Sequence, residues 1–567
     1  LFTERIYQAE SLSTLLAVST VLYISRITKR CNLRKLRIGI VDFITKSPNS
    51  SLWARFMHAN LAGIMPQVIA CWCEELGHEV TLFLFTGIEN LERDVPKDVD
   101  LVFISAFTQS AIQAYALSNK YRSEGVVTVL GGPHARCYPE DARKYFDYVL
   151  GLTDRDVCRD VLEDIAHHKE EGVYMSALKQ PSTLPGVRER WKFISQALDK
   201  APWIKVVPMI GSVGCPYTCS FCIDAEQPYQ TLGFDIIRDD LRFLLTKYKR
   251  PLVSWHDPNF GVRFDDYMNT LEGAVEPNSI DFIAESSLSL LSEPHLKRLR
   301  HNGFKAVLPG IESWNGMGNK SKTGSKQGQD KLEAVSEHVN LILRYVPYIQ
   351  TNFVLGLDCD EGPESFELTK KFVDMSPAAF PAFPLLTSFG KAAPVNLEYQ
   401  GQGRVLPFPF HFLNNNHAMN VRPKTSTWPE FYDRLIDLVE HSFSWPSIVN
   451  RFRNTNSRIP AWMNLMRAVS TEGFGRMRFY RKIRRLLDED RAFRDFFEGE
   501  SSVMPEFYLN MAKKDLGKLW EWLPEGALYH DQNAYYKQEQ EKKTNKPAPK
   551  QQAGLNDGLA DVKIMAG

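Results

Sequence analysis

Cys215, Cys219 and Cys222 are the residues of this 567-residue chain best able, by type and spacing, to do chemistry. Thiolates four and three positions apart on a tight loop converge on one centre, and thiolate is the form that binds metal. A structural zinc site needs a fourth Cys or His close by, and none follows within about 30 residues. A 4Fe-4S cluster held by three cysteines instead leaves one iron open to an outside ligand. The nine cysteines are odd in number, and the other six (Cys31, Cys71, Cys73, Cys137, Cys158 and Cys359) are scattered. That distribution points to a metal site rather than a disulfide framework.

The cysteine loop must be positioned by the elements around it. It follows the first of six apolar runs that alternate with helical segments: KVVPMIG from Lys205, LVSWHD from Leu252, IDFIAESS from Ile280, KAVLPGIES from Lys305, YIQTNFVLGLD from Tyr348 and AFPAFPLLTSF from Ala379. Six βα units in this length predict a parallel sheet curved into a partial (β/α)6 barrel, whose site lies at the C-terminal strand ends. Cys215, Asp257, Glu285 and Glu312 all fall there.

An earlier alternation begins at Leu36 with RIGIVDF, a helical stretch from Leu52 to Leu76 closed by Gly77, and then EVTLFLF, VDLVFISAF, VVTVLGG and FDYVLG. It predicts a doubly wound, Rossmann-like (flavodoxin-type) parallel sheet of about five strands with a ligand crevice at their carboxyl ends. The expected organisation is an extension over 1–35, this α/β domain over 36–165, a linker over 166–203 and the barrel over 204–395. A mainly α-helical substrate-covering region over 396–535 and a disordered tail over 536–567 follow.

With 68 basic against 68 acidic residues, no global field draws the chain to nucleic acid or to an anionic membrane, and neither partner is expected. A composition of 44% hydrophobic and 24% charged residues excludes global disorder. Ser11 to Ile24 is apolar but shorter than a membrane span and reads as a packed helix. The basic run Arg476 to Arg485 reads as the solvated face of an amphipathic helix.

The pattern Cys215, Cys219, Phe221, Cys222 resembles the signature of the radical S-adenosylmethionine (radical SAM) family, Cys-x-x-x-Cys-x-aromatic-Cys. The likeness runs from about Ile204 to Phe389. It implies a 4Fe-4S cluster on the three cysteines, with S-adenosylmethionine (SAM) on the open iron and cleaved to a 5'-deoxyadenosyl radical. It also implies SAM contacts from Phe221, Asp257, Asn259, Glu285, Ser286, Glu312 and Gly356. Where the family has a Gly-Gly-Glu-like motif after the second strand, this chain departs from it with Asp257-Pro258-Asn259. His256 reads as a rim histidine and Cys359 as an ordinary thiol.

The upstream domain resembles the cobalamin-binding module of one radical SAM subgroup, through VFISAFTQS with Ser105 and Thr108, and VLGGPHA with Gly131, Gly132 and Pro133. The Asp-x-His-x-x-Gly motif of cobalt ligation is absent: Ile44 stands where the histidine would be and Ser47 replaces the glycine. The resemblance implies a cobalamin-dependent methyltransferase acting on an unactivated carbon of a small molecule or peptide. It further implies a flavodoxin- or ferredoxin-type electron donor and a reducing cytoplasm. Two other readings stay open: a radical SAM cyclase or rearrangement enzyme whose first domain is only a scaffold, and a non-catalytic metal- or corrinoid-binding protein.

Overall fold

The computed structural model describes residues 34–48, 55, 57–166, 174–175 and 181–544. The apolar segment Ser11 to Ile24 and the last residues of the tail, 545–567, lie outside the described residues.

Six strands form the first sheet: β1 (Arg37–Phe43), β2 (Glu79–Phe85), β3 (Leu101–Ser105), β4 (Val127–Gly131), β5 (Tyr148–Leu150) and β6 (Tyr174–Met175). All neighbours are parallel, in the order β2-β1-β3-β4-β5-β6. The chain runs outward from β1 to β2 and then returns past β1 to β3, so the topological switch point lies between β1 and β3. Register places Asp42, Ser105 and Gly131 side by side in one row at the carboxyl edge of this crevice. Alternation along the strands splits the apolar residues between two cores. Ile38, Ile40, Leu101 and Phe103 pack with the helices Ile64–Glu75 and Arg155–Ala166, while Val41, Val102 and Ile104 join a core shared with the rest of the molecule.

Two details differ from the sequence expectation. A sixth strand, β6, pairs with β5 from within the stretch expected as linker; two residues are too few to leave an alternation pattern. The helix expected over Leu52 to Leu76 is broken: Arg55 and Met57 are helical, a tight turn follows at His58–Leu61, and a second helix spans Ile64–Glu75. Gly63 interrupts it by adopting extended backbone, and its N–H donates to the Asp42 carboxylate at 2.7 Å.

The second sheet contains β7 (Val206–Met209), β10 (Leu252–Trp255), β11 (Asp281–Ala284), β12 (Phe304–Val307), β14 (Tyr348–Phe353) and β15 (Phe380–Ala382), parallel and in that spatial order. A short β13 (Gly310–Glu312) continues the line of β12 along β14. Between β7 and the helix Phe234–Lys247, β8 (Ser212–Val213) and β9 (Gln230–Thr231) pair antiparallel and close the base of the cysteine loop. The result is the open six-stranded barrel that the six βα units imply.

The C-terminal region is helical from Trp428, where Thr427 and Glu430 form a reciprocal capping box. Trp428, Phe431 and Tyr432 are buried in the common core. In the helix Arg476–Glu489, Tyr480, Ile483 and Leu487 face inward while Arg481 pairs with Glu440 and Arg484 with Asp433, so the basic run is an outer helix face. The start of the expected disordered tail is ordered instead. Ala534–Thr544 is a helix, with Tyr535 buried and the Tyr536 N–H donating to Gln400 at 2.8 Å. The composition reading missed the anchoring by this tyrosine pair at the head of the polar stretch. No helix among the described residues is long and apolar enough to cross a membrane.

Candidate active site

The cysteine loop leaves the barrel through Gly214, whose φ of +69° belongs to the left-handed region and whose missing Cβ would collide with the Pro228 carbonyl. The Cys215 N–H then donates to the Gln227 carbonyl at 3.1 Å, and the Cys222 N–H to the Cys219 carbonyl at 2.9 Å, so the loop folds on itself. The Asp224 N–H points at the Cys222 sulfur at 3.4 Å. The segment is also tied outward: the Val395 N–H donates to the Ser220 carbonyl at 2.9 Å. Phe221 is half-buried against the core behind the loop.

All three thiols are free. Burial pushes the Cys222 thiol up to about 11, opposed by the Asp224 N–H. Burial also raises Cys219, opposed by the Lys320 ammonium. Lys320 donates to the Glu312 carboxylate at 2.6 Å, from a segment turned back on itself by left-handed Met317 and Lys322. Burial alone would lower the Lys320 pKa; Glu312, Cys219 and Cys222 outweigh it and raise it. Glu285 belongs to the same group: burial raises its carboxyl, Lys320 lowers it and Glu312 raises it. Its side chain is ringed by protein yet open to solvent, as the wall of a concave mouth must be. Among the described residues, no three His, Cys, Asp or Glu side chains converge as ligands of a single ion. A cubane does not ask for that, because each cysteine binds a different iron.

Asp257 has a different task. It is fully buried, and its carboxylate accepts from the Gly211 N–H at 3.0 Å, the Ser212 hydroxyl at 2.6 Å and the Tyr267 hydroxyl. Burial raises its pKa against those hydrogen bonds. It thus hangs the entry of the cysteine loop from the end of β10. Ser286 is also engaged, donating to the Phe260 carbonyl at 2.9 Å. Asn259 is buried with its Oδ1 accepting from Ser287 at 3.0 Å, while its Nδ2 has no hydrogen-bond partner among the described residues. That orphaned donor, with Glu285 and Glu312, is the polar equipment of the barrel mouth. Gly356 has φ +95° and packs where a Cβ would strike the Met419 sulfur.

A second cavity of about 310 Å³ opens between the two sheets. The first domain contributes Ser105, Gly131, Gly132 and Pro133; the cysteine loop contributes Gly214, Asp224 and Gln227; the end of β10 contributes His256 and Pro258. At Gly131 a Cβ would meet nothing within 4 Å, so its bare backbone forms an open cradle. Gly132, with φ +88°, lies against the Ala106 backbone. Thr108 is buried and does not line the cavity; its hydroxyl serves Cys137. Arg136, from the turn after Gly132, crosses to the cysteine loop: it pairs with Asp224 at 3.0 Å and donates to the Ile223 carbonyl at 2.7 Å.

No family model matches the chain. It is 24% identical over 368 residues to bacteriochlorophyllide d C-12(1)-methyltransferase of Chlorobaculum tepidum, covering 63% of this chain and 78% of that one. It is 24% identical over 325 residues to hopanoid C-2 methylase of Rhodopseudomonas palustris, covering 54% and 58%. The solved cobalamin-dependent SAM radical enzyme OxsB, with aqua-cobalamin and SAM bound, superposes with a TM-score of 0.50 at 12% identity over 87% of this chain and 84% of that one. The chain is thus similar in sequence to methyltransferases and shares the fold of a cobalamin-dependent SAM radical enzyme.

Both candidate sites pass a fit test on their own atoms. The thiol trio, beside a lysine ammonium and a backbone N–H directed at sulfur, suits an anionic iron-sulfur cluster. The glycine cradle suits a large flat ligand that must approach the backbone closely. Sequence reasoning missed Lys320, Arg136 and Asp42. Lys320 and Arg136 reach their partners by tertiary folding, with no local motif. Asp42 is the first residue of the segment that lacks the cobalt-ligating histidine at Ile44, and that comparison carries no sign of its burial.

Asp42 yields a pH prediction. It is buried at the cavity edge, and desolvation pushes its carboxyl up to about 6 against hydrogen bonds from Gly63 and Ser105. Between the unfolded value of 3.8 and about 6, the folded state therefore binds more protons than the unfolded state. The contribution is full below pH 3.8 and lost as pH rises through about 6. Asp42→Asn removes this dependence while keeping an acceptor for Gly63. Relative to the variant, the natural protein should lose on the order of 3 kcal/mol between pH 4 and pH 7. Paired thermal unfolding curves at the two pH values check this; parallel shifts in both proteins would refute it.

Proposed function

We propose that the enzyme holds a 4Fe-4S cluster on Cys215, Cys219 and Cys222 with SAM in the barrel mouth, holds cobalamin in the glycine-lined cavity, and methylates an unactivated carbon of a small molecule. The observation that carries this reading is that the cysteine loop forms a wall of the same cavity as Gly131 and Gly132. The curated relatives, named for methylation at carbon positions of bacteriochlorophyllide d and of hopanoids, support it. The bound groups would supply a carbon radical and a transferable methyl. The protein's own residues do the rest. Lys320 offsets the negative charge of the thiolates, and Glu285 and Asn259 offer an acceptor and a donor to SAM. Asp257 fixes the loop, and the surrounding barrel excludes water. A flavodoxin- or ferredoxin-type donor in a reducing cytoplasm suits an exposed iron.

Anaerobic reconstitution followed by reduction with SAM tests the radical half. The reading requires about four iron per chain and formation of 5'-deoxyadenosine, and it falls if zinc fills the site or no deoxyadenosine forms. Gly131→Val tests the corrinoid half. Because a Cβ at Gly131 meets nothing, the variant should fold and keep its iron, yet lose the corrin absorbance that the natural protein retains through gel filtration. Equal retention by both proteins would remove cobalamin from this cavity.

A further inference from the structure

The neutral overall charge hides a local asymmetry. From His441 to Thr471 the chain contains no Asp or Glu but four arginines, Arg451, Arg453, Arg458 and Arg467. This stretch forms two packed helices, Trp445–Asn454 and Arg458–Val469. Their inner faces bury Ile448 and Arg451, and Pro460, Ala461, Asn464 and Ala468. Their outer faces carry Trp445 (60% exposed), Val449, Ile459 (73%), Trp462 (57%) and Val469. Trp445 and Val449 are one turn apart, as are Ile459 and Trp462, so each helix shows a continuous apolar row. An edge-on contact between Phe452 and Trp462, 5.5 Å between ring centres, joins the two rows into one surface. Arg453 and Arg458 stand exposed at its border, whereas Arg467 is held by Glu472 and Tyr348.

An apolar outer face is normally buried, and this one is open. Tryptophan at the border of apolar and wet surface, with arginine and no carboxylate, matches the chemistry of the lipid headgroup layer, where basic residues gain from anionic lipid. We propose that the hairpin Trp445–Val469 seats this enzyme on the surface of an anionic phospholipid bilayer. The helices lie on the membrane and do not cross it, since neither is long or apolar enough. The proposal is independent of the reaction assigned above.

The test is co-sedimentation of the full chain with vesicles of phosphatidylcholine alone or mixed with phosphatidylglycerol. Binding to the mixed vesicles is expected, weaker on phosphatidylcholine and weaker again in high salt. Ile459→Glu/Trp462→Glu should cut partitioning at least about fivefold. Arg453→Glu/Arg458→Glu should abolish the preference for phosphatidylglycerol. Unchanged circular dichroism and iron content would show that both variants are folded. Binding unaffected by either pair overturns the proposal. So does binding lost only on removal of residues 1–33, which would assign it to the apolar segment Ser11 to Ile24. A lipid-free dimer that the glutamate pair dissociates, without vesicle binding, overturns it in favour of a second copy of the chain.

Discussion

Cys219→Ala is expected to reduce 5'-deoxyadenosine formation to the level of enzyme-free controls and to leave reconstituted protein without its brown chromophore. Of the three cysteines Cys219 is the most buried, with only 8% of its surface exposed, and it lies at the middle of the trio, feeling the charge of Cys215 and acting on Cys222. In the proposed cluster, removing it would leave two thiols for four irons. The fold should survive, because the loop is held by backbone bonds from Cys215 and Cys222 and by the tie to Ser220 rather than by the sulfur. The expected pattern is therefore natural melting behaviour with lost iron. Iron content equal to that of the unaltered protein would defeat the assignment. Cys359→Ala is the matched control, since that thiol is hydrogen-bonded to Ser313, away from the trio, and should leave iron content unchanged.

Asp257→Ala should be the most damaging single change away from the cysteines. It strands three donors, the Gly211 N–H and the hydroxyls of Ser212 and Tyr267, in a site without access to water. Each buried unsatisfied group costs about 1–3 kcal/mol, and with the small cavity the total should reach about 3–5 kcal/mol. Gly211 leaves no slack, because a Cβ there would already press on the Tyr267 ring. Loss of stability should come with loss of cluster occupancy, since the loop entry is hung from this carboxylate. Asp257→Asn keeps one acceptor and should lose less on both counts. A variant that melts early yet reconstitutes fully would separate the loop from the carboxylate and refute the coupling.

The strands of both sheets were legible because parallel strands covered on both faces read as unbroken apolar runs, RIGIVDF and LVFIS among them. The cysteine loop was legible because its chemistry is compressed into eight positions. Gly131 and Gly132 were legible as a strand-end turn, and their exposure to the cavity follows from the sheet register. What escaped was decided by contacts across the fold. Asp257 sits at a strand end like a ligand-binding carboxylate, but Tyr267 and Ser212 claim it, and nothing in the local sequence says so. Ser286 is claimed in the same way by the Phe260 carbonyl and Thr108 by Cys137. The exposed hairpin escaped because a whole-chain sum of zero averages its arginines against carboxylates elsewhere.

Arg136 gives the two halves of the molecule a common origin of coordinates. It leaves the glycine turn of one sheet and ends on Asp224 and the Ile223 carbonyl, at the edge of the cysteine loop of the other. Other bonds also tie the two halves, Tyr138 to Ser388 and Asn60 to Ile204 among them, but Arg136 joins the glycine turn directly to the cysteine loop. The proposed reaction, with a radical made at one face and a methyl drawn from the other, would depend on the spacing between the two. If it slackens, radicals form with nothing in reach. Arg136→Ala should therefore idle: deoxyadenosine continues to accumulate while methylated product per deoxyadenosine falls. A ratio unchanged by the substitution would show that the spacing is set elsewhere.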